Sequence, residues 1–353
     1  MEQRKIGDSA LNVSVMGLGT MTFGGGTGKF AKIGAVEQSQ TDRLVDIAIY
    51  HGVNFFDTSD NYSNGQSERI LGKALGKRRD RIVLATKVFG RTGPGKHDIG
   101  LSRRHVIDAC EASLRRLGTD RIDLYQLHNF DSLVPLEETL RALDDLVAAG
   151  KVRTIGCSNF FAWQMVKARG VAALRDWPMI QCQQLLYSLL YRHAEHDLLP
   201  AARDQRVGTI VYSPLAQGYL TGKFTTDQPG SRLTSTGQLN GVDTEKARAI
   251  VDVLQGVADS HGRMVSPAQI ALKWAIDQAG INSVLAGARN AEQLEDNLKA
   301  AAITLSSTDR EALDRVSRLA PWYPWTAQRV FHPERNPDFA RERQNARSSV
   351  REQ

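Results

Sequence analysis

A carboxylate, a phenol, an ammonium and an imidazole stand at Asp57, Tyr62, Lys87 and His128. Each lies at or just past the end of a short, mostly apolar run: Val53-Asn54-Phe55-Phe56, Arg81-Ile82-Val83-Leu84-Ala85-Thr86 and Ile122-Asp123-Leu124-Tyr125-Gln126-Leu127. Runs of this kind predict strands. If the three are parallel neighbours, the four side chains converge at one end of a sheet, and together they are equipment for proton transfer. A phenol with its ordinary pKa of about 10 is a poor acid at neutral pH, so a tyrosine that protonates a carbonyl oxygen needs a cation beside it. Lys87 can supply that field, Asp57 can keep a buried Lys87 charged, and His128 can donate to the same oxygen and orient it.

Positioning those groups requires a parallel sheet with covering helices. Between about residues 39 and 300 helical periods alternate with β-type runs. The periodicity predicts helices over 39–51, 67–76, 102–117, 135–149, 160–174, 194–205, 244–261, 266–278 and 290–301, and strands over 15–18, 53–56, 81–86, 121–127, 152–156, 179–183, 208–212 and 282–286. Eight strands, each followed by a helix, are what a closed (β/α)8 TIM barrel needs, and reactive groups in that fold sit at the carboxyl ends of the strands. Ser102, Pro135 with Glu137 and Glu138, and the glycines Gly118, Gly150 and Gly262 punctuate helix ends. Residues 4–14, with the polar turn Gly7-Asp8-Ser9-Ala10, predict a hairpin capping the barrel floor. Loops 24–34 and 221–243 are candidate lids at the opposite face. The whole chain, 1–353, is expected to be one domain, with about 321–353 a C-terminal loop and tail near the substrate pocket.

Composition narrows the class of function. Hydrophobic residues make up 41% and charged residues 24% of 353, as in a soluble enzyme. The net charge of +6 comes from Lys and Arg interleaved with acids, without the dense basic run that nucleic-acid binding would require, and it suits an anionic cofactor or substrate. Cys110, Cys157 and Cys182 have neither C-x-x-C nor metal-ligand spacing and read as buried thiols in a reducing compartment, with no metal expected. No apolar signal stretch follows Met1-Glu2-Gln3-Arg4-Lys5, and no run is long enough to span a membrane, so a cytoplasmic location is expected. Gly17-Leu18-Gly19 is followed by Thr20-Met21-Thr22 and completes no dinucleotide fingerprint. The Tyr219-x-x-x-Lys223 pattern falls in a Gly- and Thr-rich loop, away from any helical period.

Phe56-Asp57-Thr58-Ser59-Asp60-Asn61-Tyr62 with Ser67-Glu68, Thr86-Lys87 and Leu127-His128 resembles the Asp, Tyr, Lys, His tetrad of the aldo-keto reductases. Further along, Gly156-Cys157-Ser158-Asn159-Phe160, Gln184-Leu185-Leu186-Tyr187-Ser188, Tyr212-Ser213-Pro214-Leu215 with Gly218-Tyr219-Leu220-Thr221-Gly222-Lys223, and Gly287-Ala288-Arg289 through Gln293 and Asn297 are similar to that family's cofactor motifs, over about residues 4–320. The branch resembled includes bacterial general aldo-keto reductases and potassium-channel β-subunit-like proteins. The resemblance implies a (β/α)8 barrel, NADPH in preference to NADH, and hydride transfer to an aldehyde or ketone, with alcohol oxidation as the reverse. It implies Tyr62 as general acid, tuned by Lys87 and Asp57, with His128 orienting the carbonyl. Ser158, Asn159 and Gln184 would hold the nicotinamide carboxamide and Tyr212 would stack on the ring. Gly19, Thr20, Met21, Asp57, Ser213, Pro214, Leu215, Gln217, Gly218 and Lys223 would line the rest of the cofactor site, with Gly287, Arg289, Gln293 and Asn297 at the adenosine phosphate. Arg289 is the candidate for the 2′-phosphate, since a guanidinium pairs bidentately with phosphate and neither Ala288 nor Asn290 is acidic.

Phe23, Phe89, Phe130, Tyr191, Trp322 and Trp325 lie in loops expected to ring the barrel mouth beside Tyr62 and His128, which suggests an apolar or flat substrate. The expected partner is a small carbonyl or alcohol substrate, with no nucleic acid and no membrane, and a homo-oligomer is compatible with the chain. A different class of function, an NADPH-binding regulatory module like the potassium-channel β subunits, shares the same fold and tetrad.

Overall fold

The computed structural model describes residues 1–24, 33, 35–222, 244–262, 264–320, 322–330 and 335. Met1–Ser317 forms one compact unit and Arg318–Gln353 a second. In the first, β1 (Gln3–Lys5) and β2 (Asn12–Ser14) pair antiparallel as the expected hairpin. Its Gly7 meets the carbonyls of Gln181 and Arg206, just before two barrel strands begin, so the hairpin closes the floor.

Eight parallel strands follow: β3 (Met16–Gly19), β4 (Phe55–Asp57), β5 (Val83–Val88), β6 (Ile122–Leu127), β7 (Val152–Ser158), β8 (Cys182–Leu186), β9 (Gly208–Tyr212) and β10 (Ile281–Ala286). They pair in sequence order, and β10 pairs with β3 to close the barrel. The covering helices are α1 (Gln38–Tyr50), α2 (Gln66–Leu75), α3 (Arg103–Leu117), α4 (Leu136–Ala148), α5 (Ala162–Arg175), α6 (Leu198–Asp204), α7 (Thr244–Ser260), α8 (Pro267–Ile276) and α9 (Ala291–Lys299). Ser102 caps α3 by accepting from the His105 amide, and Gly118 ends that helix in the left-handed conformation, as the punctuation predicts. The stretch 194–205 divides into a short 3-10 turn and α6, because Pro200 suits only the first turn of a helix.

Two helices lie beyond the periods read from the sequence. Helix α10 (Ser307–Ser317) begins at a reciprocal Ser306/Asp309 cap, a Ser-x-x-Asp signal that was there to be read. Helix α11 (Trp325–Val330) belongs to the second unit. Both candidate lids, residues 25–32 with 34 and residues 223–243, lie outside the described residues, and Lys223 with them.

Strand alternation separates the side chains into two environments. One set, with the helices, builds the two large cores outside the barrel. The other set fills its interior, where Phe55, Ala85, Leu124, Cys182, Ile210 and Leu285 pack with Ile6 and Val13 of the hairpin. Two residues further along the same strands, on the same face, stand Asp57, Lys87, Gln126, Gln184 and Tyr212. The barrel thus carries an apolar layer with a polar layer directly above it, towards the strand carboxyl ends. Gly17 belongs to the lower layer: a Cβ there would lie 2.7 Å from the Phe55 ring and 2.9 Å from Leu285. We expect Gly17→Ala to cost about 1–3 kcal/mol through overpacking; an unchanged urea midpoint would contradict this layered filling.

Candidate active site

Strands β4 and β5 end one and two residues further along than the apolar runs at 53–56 and 81–86. Asp57 is the last residue of β4 and Lys87 lies inside β5, while His128 directly follows β6 and Tyr62 opens a short 3-10 turn. The barrel therefore brings the four together more tightly than adjacent loops could. Lys87 Nζ donates to Asp57 Oδ1 at 2.5 Å and to the Thr58 carbonyl at 2.9 Å, and lies 3.4 Å from the Tyr62 hydroxyl. It also sits 5.0 Å from the centre of the Tyr62 ring, and that ring meets the His128 imidazole edge-on at 5.9 Å.

Lys87 is fully buried and Asp57 is 1% exposed. Burial alone would drive the Lys87 proton off, but the Asp57 carboxylate and the Tyr62 oxygen outweigh it and hold the ammonium above its ordinary pKa. For Tyr62 the balance runs the other way. Burial pushes the phenol up, and the Lys87 charge opposes that without reversing it. The Lys87 charge thus favours the phenolate but only limits the rise that burial imposes.

Sequence reasoning missed the other half of the ion pair's support. Gln126 Nε2 donates to Asp57 Oδ2 at 3.0 Å and Gln184 Nε2 to the same oxygen at 2.9 Å, so both carboxylate oxygens are occupied. Gln184 is 3% exposed and also reaches Gln126 Oε1 at 3.3 Å. The signal was available: Leu124, Gln126 and His128 share one face of β6 at period two. Gly156, level with Gln126 in the neighbouring strand, leaves the room that its side chain fills.

On the far side of the mouth Asn159, in the left-handed conformation, donates to the His128 carbonyl at 3.0 Å and to Ser158 Oγ at 3.2 Å, and its Oδ1 accepts from the Tyr212 hydroxyl at 2.8 Å. The Asn159 main-chain amide donates to the Gln184 carbonyl at 3.3 Å, so Ser158, Asn159, Gln184 and Tyr212 are one connected set. Beside them Ser213, Ala216, Gln217 and Gly218 all have positive φ, a concentration of backbone strain after β9. Pro214 and Leu215 lie within that segment. Gly19, Thr20 and Met21 end β3 or follow it; Thr20 and Thr58 both hydrogen-bond Ser67 Oγ, which ties α2 to the strand ends beneath Tyr62. Gly287 and Arg289 are exposed at the start of α9, where the Asn290 side chain caps the Gln293 amide and the Gln293 side chain accepts from the Arg289 amide. Asn297 is buried on the same helix.

The expected pocket residues divide. Phe89 and Phe130 are half-buried together over one outer core, and Tyr191 is half-buried over the other. Phe23 is fully buried and packs in the core, which makes it a support for the β3 loop. Trp322 is exposed in the second unit, and Trp325 begins α11 there. Aromatics the sequence reading passed over stand next to Phe130: Phe160 at 5.3 Å and Trp163 at 5.9 Å between ring centres. All three cysteines are free and buried, and burial raises their thiol pKa values, Cys110 to about 12.

A parallel (β/α)8 barrel with a lysine, aspartate, tyrosine and histidine at the carboxyl ends of consecutive strands defines the class. The aldo/keto reductase family model matches residues 15–318, and the chain belongs to that family. The chain is 36% identical over 332 residues to the uncharacterized oxidoreductase YrpG of Bacillus subtilis, covering 91% of this chain and 96% of that protein. It is 34% identical over 312 residues to a probable voltage-gated potassium channel subunit beta of Arabidopsis thaliana, covering 85% and 91%, and 30% identical over 356 residues to versiconal hemiacetal acetate reductase of Aspergillus parasiticus, covering 94% and 99%. It is an oxidoreductase, in a family that generally uses nicotinamide cofactors. No described helix is long and apolar enough to cross a membrane.

Asp60, 2% exposed beside this site, has its carboxyl pushed up to about 8, first by burial and then by the Glu68 charge. A carboxyl raised in the native state holds its proton more tightly there than in the unfolded chain. Its contribution to stability is therefore full below the ordinary carboxylate range, about 4, and is lost as pH rises towards the native value. Asp60→Asn, which cannot ionise, should gain stability over the wild type between about pH 5 and pH 8 in urea melts. A pH-independent difference would refute the raised value.

Proposed function

We propose that the protein is an NADPH-dependent reductase of aldehydes or ketones, able to run in reverse on alcohols. The observation that carries this is the Lys87 ammonium held between Asp57 and the Tyr62 hydroxyl at the barrel mouth. When bound, the dinucleotide supplies hydride from nicotinamide C4. Tyr62, still protonated at neutral pH because burial holds its pKa up, gives its proton to the carbonyl oxygen as negative charge develops there. Lys87 stabilises the phenolate left behind, and the two glutamine donors hold the Asp57 carboxylate in place opposite it. His128, its backbone carbonyl tethered by Asn159, orients the substrate oxygen.

The amide and hydroxyl groups of Ser158, Asn159 and Gln184 suit a carboxamide, and the Tyr212 ring suits a flat heterocycle. The strained segment Ser213–Gly218, with Gly19, Thr20 and Met21 opposite, is assigned to the rest of the dinucleotide. Arg289, exposed with Gly287 where α9 presents its amide end, suits a phosphate, and Gln293 and Asn297 complete that end of the site. Phe89, Phe130 and Tyr191 are assigned to the substrate side, and the buried free thiols fit a cytoplasmic setting.

NADPH oxidation measured against a panel of aldehydes and ketones should show turnover, and Tyr62→Phe should lower it about 10²–10⁴-fold while cofactor affinity stays nearly constant. Full activity in that variant would remove Tyr62 as the acid. The potassium-channel relative favours a second reading, an NADPH-binding regulatory module. Tight NADPH binding without turnover on any carbonyl would select it. Arg289→Ala should weaken NADPH binding about tenfold or more and NADH binding much less; equal losses in titration calorimetry would rule out a 2′-phosphate contact.

A further inference from the structure

Ser59 lies fully buried behind His128, and its hydroxyl oxygen reaches three polar atoms: Asn61 Oδ1 at 2.9 Å, Asp60 Oδ1 at 3.2 Å and His128 Nδ1 at 3.2 Å. A hydroxyl has one proton to give and two lone pairs to offer. Asp60 is itself buried, its main-chain amide held by the Lys87 carbonyl, and its Oδ2 has no hydrogen-bond partner among the described residues. An ionised carboxylate with one oxygen unpaired in such a place is costly, whereas a protonated one loses only a weak acceptor.

We propose that Asp60 is a positioning residue that sets the tautomer of His128 through the single proton of Ser59. With Asp60 protonated, its O–H donates to Ser59 Oγ and the Ser59 proton goes to His128 Nδ1. The neutral imidazole then carries its own proton on Nε2 and meets a carbonyl as a donor. With Asp60 ionised, the carboxylate takes the Ser59 proton. Ser59 Oγ now accepts from Nδ1–H, and Nε2 of the neutral ring becomes an acceptor that cannot hold a carbonyl oxygen. Asn61 accommodates either arrangement, since turning its amide presents an N–H in place of Oδ1.

The groups around Asp60 place this change in a working range. Burial disfavours its ionisation most and Glu68 of α2 next, while the Ser59 hydroxyl, Arg116 of α3 and the Asn61 main-chain amide favour it. Tyr62 and, on β6, Tyr125 also feel the Asp60 charge. Glu68 is itself bound by Arg116 Nε at 2.5 Å and by Thr86 Oγ1 at 2.6 Å, which fixes the opposing charges at the back of the loop.

The tautomer can be read without turnover. In protein labelled with ¹⁵N in the histidine rings, the His128 signals, assigned by their loss in His128→Gln, should show a protonated Nε2 and bare Nδ1 at about pH 6.5 and the reverse at about pH 9.5. Asp60→Asn, whose amide still donates to Ser59, should keep the first pattern throughout, and Ser59→Ala should abolish the linked transition even where Asp60→Asn fails to fold. A wild-type tautomer that does not change, a bare Nε2 or an imidazolium at the lower pH, or the same transition in either variant overturns the proposal. The kinetic consequence rests on the reductase reading: kcat/KM for an aryl aldehyde should fall about tenfold across that range in the wild type, as for one lost hydrogen bond, and stay level in Asp60→Asn. Absence of turnover would count against the reductase reading alone, while the ring nitrogens still decide the tautomer; turnover with an unaltered pH profile in Asp60→Asn would overturn the relay.

Discussion

A fully buried ammonium is tolerable only if something nearby keeps it charged and satisfied, and much of this molecule is arranged around that condition at Lys87. The Asp57 carboxylate answers the charge, the Thr58 carbonyl takes a second hydrogen bond, and the Tyr62 oxygen lies within reach of a third. Asp57 is in turn fixed by Gln126 and Gln184 from two further strands. Removing any one partner would leave a buried charge or donor without compensation, the costliest kind of defect in a protein interior. Four strands are thereby committed to one polar cluster.

The closed barrel makes that cluster affordable in space as well as in charge. Its interior alternates between an apolar layer, sealed from below by Ile6 and Val13 of the hairpin, and the polar layer two residues higher. The lower layer excludes water from beneath the ion pair, so the pair has a dry environment on one side and faces the mouth on the other. Around the rim, left-handed backbone at Ser63, Asn64, Asn159, Ser213, Ala216 and Gln217 accounts for six of the eight non-glycine residues with positive φ among the described residues. Strain is thus gathered in the loops above the polar layer, where a site needs backbone in unusual conformations, and is rare elsewhere.

Most of the framework was legible because hydrophobic periodicity reports burial on one face of an element. Each of the eight strands appears within a few residues of its expected place, and Asp57, Lys87 and His128 align on them by pattern alone. What escaped were features that periodicity does not encode. Gln126 looked like one polar residue inside an apolar strand until the barrel closed and put it against Asp57. Phe23 looked like a rim aromatic from its place in a loop, yet it packs in the core, because the chain bends inward to pair Phe23 with Val36. The α10 helix was passed over because its apolar stripe is thin, with Leu313 and Ser317 its only buried residues.

The sequence by itself determined the element order, the chemical types available at the strand ends and the family, since each follows from local pattern or from ordered motifs. Only the tertiary structure decided the balance of forces on those groups. That Tyr62 is raised by burial more than it is lowered by Lys87, that burial raises the Asp60 carboxyl, and that one Ser59 hydroxyl stands between Asp60 and His128 all depend on distances between segments far apart in the chain and on how much water is excluded between them. Desolvation is a property of the closed barrel as a whole, and no stretch of residues carries it alone.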